Sequence, residues 1–231
     1  MQPPDARPAT SRPLALSGVV FAVLFLIGWF ASGGDAPDYG AADQDWTNWA
    51  DDNQWKSRIA AFAMLLAGFV FLHFAATIRT VLGSAERAAR GSVELARVAF
   101  GGAITGMAGM PMAIVIISSA TTEGADAIPA ETRAIASASA GPFLLSAMGF
   151  AALLLAAGLL TLRSDVLARW TGVVALIGAV SFLIAFAAVL SGLGEDSIFG
   201  FGFFPGVLAL VIWSIATSVA NYRAATDTVR V

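Results

Sequence analysis

His73 is the only histidine in the 231-residue chain, and cysteine is absent. A lone imidazole can serve as a hydrogen-bonding group, a general base or an axial metal ligand. Thr77 and Thr80 follow it at i+4 and i+7, which is one face of a helix. A second polar stripe, Ser214, Thr217, Ser218 and Asn221, occupies the last apolar segment. If these two segments are neighbours, His73, Thr77, Thr80, Ser214, Ser218 and Asn221 line a small polar pocket open to the cytoplasm. A second reading is that these side chains bond to helix backbones and neighbouring helices as ordinary interhelical contacts.

Other chemistry finds little support. Without cysteine there are no disulfides, thiolate metal sites or dithiol redox pairs. One histidine cannot form a bis-histidine haem site within one chain or a zinc protease motif. His73 with Met64 or Met148 remains a formal axial pair. Gly192-Leu-Gly194-Glu-Asp196 is similar to the Gly-x-Gly-Asp motif of intramembrane aspartyl proteases, but it carries one inserted residue. It also lies at a span end, and no second aspartate lies within a span. No phosphate-binding glycine loop is present, and the single lysine, Lys56, lies outside the apolar segments. No catalytic residue, metal site or cofactor is expected.

The elements that hold these residues are dictated by composition. Hydrophobic residues make up 58% and charged ones 13%, about half the charged share of a soluble domain. This excludes an ordinary soluble enzyme, a disordered chain and a nucleic-acid binder, and it points to an integral membrane protein. A hydrocarbon core of ~30 Å needs about 20 apolar residues per helix. Six stretches meet that length, at about 14–32, 59–82, 95–119, 134–162, 167–192 and 203–221. Helices are the economical choice because lipid cannot satisfy backbone polar groups. The expected fold is all-α, a polytopic transmembrane bundle over 14–222. A disordered cytoplasmic tail, 1–13, precedes it, and a second tail, 223–231, follows it.

Charge sorting orients the bundle. Ten of the 13 basic residues fall in the tails and in the second and fourth connections, while 11 of the 16 acidic residues fall in the other three. The positive-inside rule then places both termini in the cytoplasm. The first span follows two arginines, as a signal peptide would. Its apolar run of about 18 residues exceeds the 7–15 of a signal core, so it is read as a retained anchor. Arginines at span ends can snorkel to the headgroups. No acidic residue lies within a span, which argues against proton- or sodium-coupled transport.

The first outer connection starts with turn residues (Gly33-Gly34, Asp38-Tyr39-Gly40). It continues into a segment where Trp46 and Trp49, three apart, share a helical face among aspartates. An outer lid or a cation-attracting mouth is one reading. A short interfacial helix with its tryptophans in the aromatic belt is the other. Gly102, Gly106 and Gly109 form a small-residue face in the third span, while Gly141-Pro142 and Pro205-Gly206 mark hinges or static kinks. Ser92–Arg97 and Ser164–Arg169 echo each other at two cytoplasmic helix starts.

The stretch Asn53–Glu86, a polar start followed by a long apolar run ending in Ile78-Arg79, resembles multi-pass membrane proteins of actinobacteria that have no assigned activity. The arginine-opened run Leu167–Val180 resembles them too. The resemblance implies the six-span layout and no catalytic residue. A high alanine, glycine and arginine content also suits a GC-rich bacterial genome. The expected role is a non-enzymatic accessory or structural component of a bacterial inner membrane. Its expected partners are the lipid bilayer and a membrane protein or further copies of the chain, with no nucleic acid. A small-solute transporter or channel built on the His73 pocket is the alternative, and a haem- or lipid-related membrane enzyme is the third reading.

Overall fold

In the computed structural model, residues 12–32, 36–37, 40–121, 128–164, 166–190 and 198–227 are described. The turn residues Gly33, Gly34, Asp38 and Tyr39, the Gly192–Asp196 motif and the tail residues 1–11 and 228–231 lie outside them. Among the described residues every regular element is helical: α1 (Arg12–Ala15), α2 (Ser17–Ala31), α3 (Asp43–Asp52), α4 (Gln54–Arg90), α5 (Glu94–Ala120), α6 (Pro129–Ala138), α7 (Ala140–Arg163), α8 (Arg169–Ala187) and α9 (Phe199–Asp227), with a short 3-10 turn at Ala188–Leu190.

Among the described residues five segments are long and apolar enough to cross a membrane: Gln54–Ala89, Glu94–Ala120, Pro129–Arg163, Arg169–Leu190 and Phe199–Thr226. The expected first span divides at Leu16 into α1 and the 15-residue α2. At 1.5 Å per residue α2 alone is ~22 Å long, short of a hydrocarbon core. The expected span 134–162 divides at Ser139, whose N–H and hydroxyl both donate to Ala136 O. Pro142 follows; lacking an N–H, it cannot continue the α6 hydrogen-bond ladder. Pro111 and Pro205, by contrast, lie inside continuous helices.

The second span is the largest departure. Instead of ending near Leu82, α4 runs for 37 residues, ~55 Å. The run Ala85-Glu-Arg-Ala-Ala-Arg90 consists of strong helix formers and carries the helix beyond the apolar stretch. It stops at Gly91, whose φ of 73° is left-handed and whose N–H bonds back to Arg87 O at 2.9 Å. Only glycine takes that conformation without a Cβ penalty.

The six long elements form a closed ring in chain order. α2 packs on α4, α4 on α5, α5 on α7, α7 on α8 and α8 on α9, and α9 returns to α2. α3 and α6 pair with each other at one end. The tightest wall is α5 against α7. A Cβ on Gly149 would strike the Gly106 backbone, and one on Gly109 would lie 2.5 Å from Pro142 O. The small-residue face of α5 is thus a packing surface, and Ser146 Oγ donates to Gly106 O across it at 3.0 Å.

Candidate functional site

The axis of the ring is filled by aromatic side chains. Phe21 of α2 meets Phe71 of α4 at 4.5 Å between ring centroids, and Phe71 meets Phe150 of α7 at 6.2 Å. Phe150 meets Phe182 of α8 at 5.5 Å, and Phe182 meets Phe203 of α9 at 5.6 Å. Phe203 stacks on Trp29 at 5.7 Å, and Phe25 links Trp29 back to Phe21 at 6.3 and 5.3 Å. Seven rings from five helices therefore close a circuit. Each contact adds about 0.5–1.5 kcal/mol beyond the area it buries. A void bounded by Phe71, Phe74 and Leu153 has no room for a water molecule.

The sequence-predicted polar residues divide into two groups. His73 and Thr80 are exposed and Thr77 is half-buried on the outward face of α4. The His73 ring meets Phe69 edge-on at 5.4 Å between centroids. Thr77 and Thr80 donate to carbonyls in their own helix, His73 O and Ala76 O. Ser214, Thr217 and Ser218 instead face inward and are fully buried. Thr217 donates to Trp213 O at 2.7 Å, and Ser218 Oγ accepts the Gly18 N–H at 3.0 Å. Asn221 is half-buried. What joins the two helices here is Phe74 against Trp213, 5.7 Å between ring centroids, and the structure does not bring the two polar stripes together. Met64 is buried in the core and Met148 is exposed on α7. His73 and Met64 are nine residues apart on one helix, ~13.5 Å along its axis, so they cannot ligate one iron.

At the other end, α3 forms where Trp46 and Trp49 were expected on one face. Both are buried, at 2% and 6% exposure, and their rings meet edge-on at 5.8 Å. Both rings belong to the buried apolar core of the protein. Asp45, Asp51 and Asp52 are exposed. Asp43 instead accepts an ion pair from Arg133 of α6 at 3.0 Å. Among the described residues no group of three acidic or histidine side chains is placed to hold a metal.

Two features of the α4–α5 connection escaped the sequence reading. Glu86 is buried at 1% exposure and accepts the Leu95 N–H at 3.0 Å and the Ala96 N–H at 2.9 Å. It thereby caps the first turn of α5 from the preceding helix, where a carboxylate is also favoured by the helix dipole. The serine of the Ser92–Arg97 echo lies only 3.5 Å from that same carboxylate, and Ser164 donates back to Leu160 O. Neither serine starts the helix that follows. The second feature is a cavity of about 610 Å³ between α4 and α5, lined by Arg79, Arg87, Arg97, Thr80, Ser84 and Phe100 among others. Arg79, Gly83 and Arg87 recur at i, i+4 and i+8, a signal that becomes visible only once α4 is known to continue.

Residues 16–219 match the family model described as Domain of unknown function (DUF4386). The chain belongs to this family. No curated protein and no solved structure matches it. The match begins at the break between α1 and α2 and ends two turns before the end of α9, so it covers the ring of helices apart from the last eight residues of α9.

Proposed function

We propose that this DUF4386 protein is a multi-pass component of the bacterial plasma (inner) membrane, with both termini in the cytoplasm and a non-enzymatic, structural or accessory role. The observation that carries the reading is the closed aromatic circuit. It occupies the axis along which a transporter or channel would pass its solute, and opening it would require several ring contacts to part together. α1 and α2 act jointly as the sixth crossing, since Arg12–Ala31 together reach the length that α2 lacks alone. The positive-inside rule supports the orientation, because the basic residues gather at the tails, the α4–α5 turn and the α7–α8 turn. The partners on this reading are lipid and either another membrane protein or further copies of the chain.

The absence of cysteine makes the topology directly testable. Single cysteines at Asn48 of α3 and Ala88 of α4, both exposed, are labelled in whole cells with a membrane-impermeant maleimide. Asn48→Cys is expected to label in intact cells and Ala88→Cys only after permeabilisation; the reverse overturns the orientation. Native mass spectrometry after mild extraction is expected to retain a protein partner or a second copy. Solute uptake into proteoliposomes above empty controls would overturn the non-transport reading.

A further inference from the structure

The cavity between α4 and α5 gathers three guanidinium groups from two helices. Arg79 and Arg87 come from α4 and Arg97 from α5; Thr80 and Ser84 line the same wall, their hydroxyls donating to Ala76 O and Val81 O of α4. Among the described residues none of these arginines has an ion-pair partner. The nearby carboxylate of Glu86 is engaged by the backbone of Leu95 and Ala96, and Glu94 is exposed and does not line the cavity. Arg79 lies over the Phe100 ring at 5.0 Å, a cation–π contact. The cavity is also graded along its length. One end is made by Ala76 and Phe100, the lining residues furthest into the apolar runs of α4 and α5. Its far end, at Arg87, lies eleven residues further along α4, ~16 Å at helical rise.

A pocket of this size suits a ligand of tens of atoms. Forked guanidinium donors match the oxygens of a phosphate group. The apolar end at Ala76 and Phe100 matches hydrocarbon. We infer that this cavity binds a phosphate-bearing anion, namely the headgroup of an anionic phospholipid with the start of its acyl chains against Phe100 and Ala76. The lipid source rests on the membrane reading above; recognition of the phosphate itself does not.

The test uses the full chain in mild detergent. Native mass spectrometry measures retention of phosphatidylglycerol against phosphatidylcholine, and calorimetry measures inorganic phosphate. Phosphatidylglycerol is expected to be retained preferentially. The combined variant Arg79→Gln, Arg87→Gln, Arg97→Gln is expected to lose this preference, at roughly fivefold per arginine. A control variant, Arg163→Gln with Arg169→Gln, removes two exposed arginines from the α7–α8 turn, outside the cavity, and is expected to retain it. Thermal unfolding without lipid checks that both variants fold, and Arg→Lys replacements at the same three positions are expected to weaken binding less than Gln should the Gln variant not fold. Binding of inorganic phosphate with the same arginine dependence assigns the site to a soluble anion and supports the phosphate site while overturning the lipid source. Equal retention of the two lipids without phosphate binding, or equal losses in the two variants, overturns the site altogether. Failure of the topology shows separately in the cysteine labelling.

Discussion

The Ser218 hydroxyl of α9 accepts the backbone N–H of Gly18 at 3.0 Å. That N–H lies in the first turn of α2, where helix donors lack an acceptor in their own helix. The last helix of the chain therefore caps the first helix of the ring, and a Cβ on Gly18 would strike both Ser218 and Phe74. The bond is buried and links positions 200 residues apart, so it forms only when the ring closes. Ser218→Ala leaves the Gly18 N–H without an acceptor. The expected cost is about 0.5–2 kcal/mol, read as a lower unfolding midpoint in detergent. An unchanged midpoint would show that the ring closes without this bond.

Much of the helix content was legible in the sequence, whereas the facing of the helices was not. α5, Glu94–Ala120, falls within one residue of the expected 95–119 because an unbroken apolar run is bounded by polar residues on both sides. The end of α4 was illegible because a change from apolar to polar marks where the hydrocarbon stops, and a helix need not stop there. The inner face was illegible for a related reason. α4 carries large apolar residues on both sides: Phe71 and Phe74 are buried while Phe69 and Leu72 are exposed. A helix that is apolar all round gives no stripe to show which side meets its neighbours. The position of His73 along the sequence thus gives its depth and not its facing, and nothing in the sequence pairs Ser218 with Gly18 of α2.

His73 itself gives a sharp prediction. It is exposed, and its ring meets the equally exposed Phe69. His73→Leu is expected to change stability by no more than ~0.5 kcal/mol, as for a surface substitution away from special features. Thermal unfolding of the two proteins in the same detergent measures this. A loss of several degrees would mean that the imidazole has a partner outside this chain.

Glu86 should behave in the opposite way, although it lies near the end of a helix rather than in its middle. Both carboxylate oxygens accept backbone N–H groups. Glu86→Gln keeps one acceptor oxygen and sets an NH2 donor against the other N–H. Leaving a buried donor unsatisfied costs about 1–3 kcal/mol. The loss is expected to be local as well as global, with faster amide hydrogen exchange at Leu95 and Ala96 than elsewhere in α5. Uniform exchange along α5 would argue that the cap contributes nothing specific to the α4–α5 turn.

The wall between α5 and α7 supports a prediction about coupling. The three nearest atoms to a Cβ built on Gly106 all belong to the Phe150 ring, the closest at 2.5 Å. Phe150 is also the member of the aromatic circuit that joins α4 to α8. Gly106→Ala alone must displace that ring and strain the circuit, at about 1–3 kcal/mol for overpacking. Phe150→Ala alone opens a cavity at the centre of the bundle, at about 3–5 kcal/mol. In the double variant the added methyl meets no ring and occupies part of the space the ring vacated, so the two costs should not add. The expected result of a double-mutant cycle is a combined loss smaller than the sum by about 0.5–3 kcal/mol, measured by denaturant unfolding in one detergent. Gly101→Ala, on the same helix where a Cβ meets nothing within 4 Å, should instead combine with Phe150→Ala additively. If Gly101 and Gly106 behave alike, the close approach at Gly106 does not position the ring, and the circuit must be held by its other contacts.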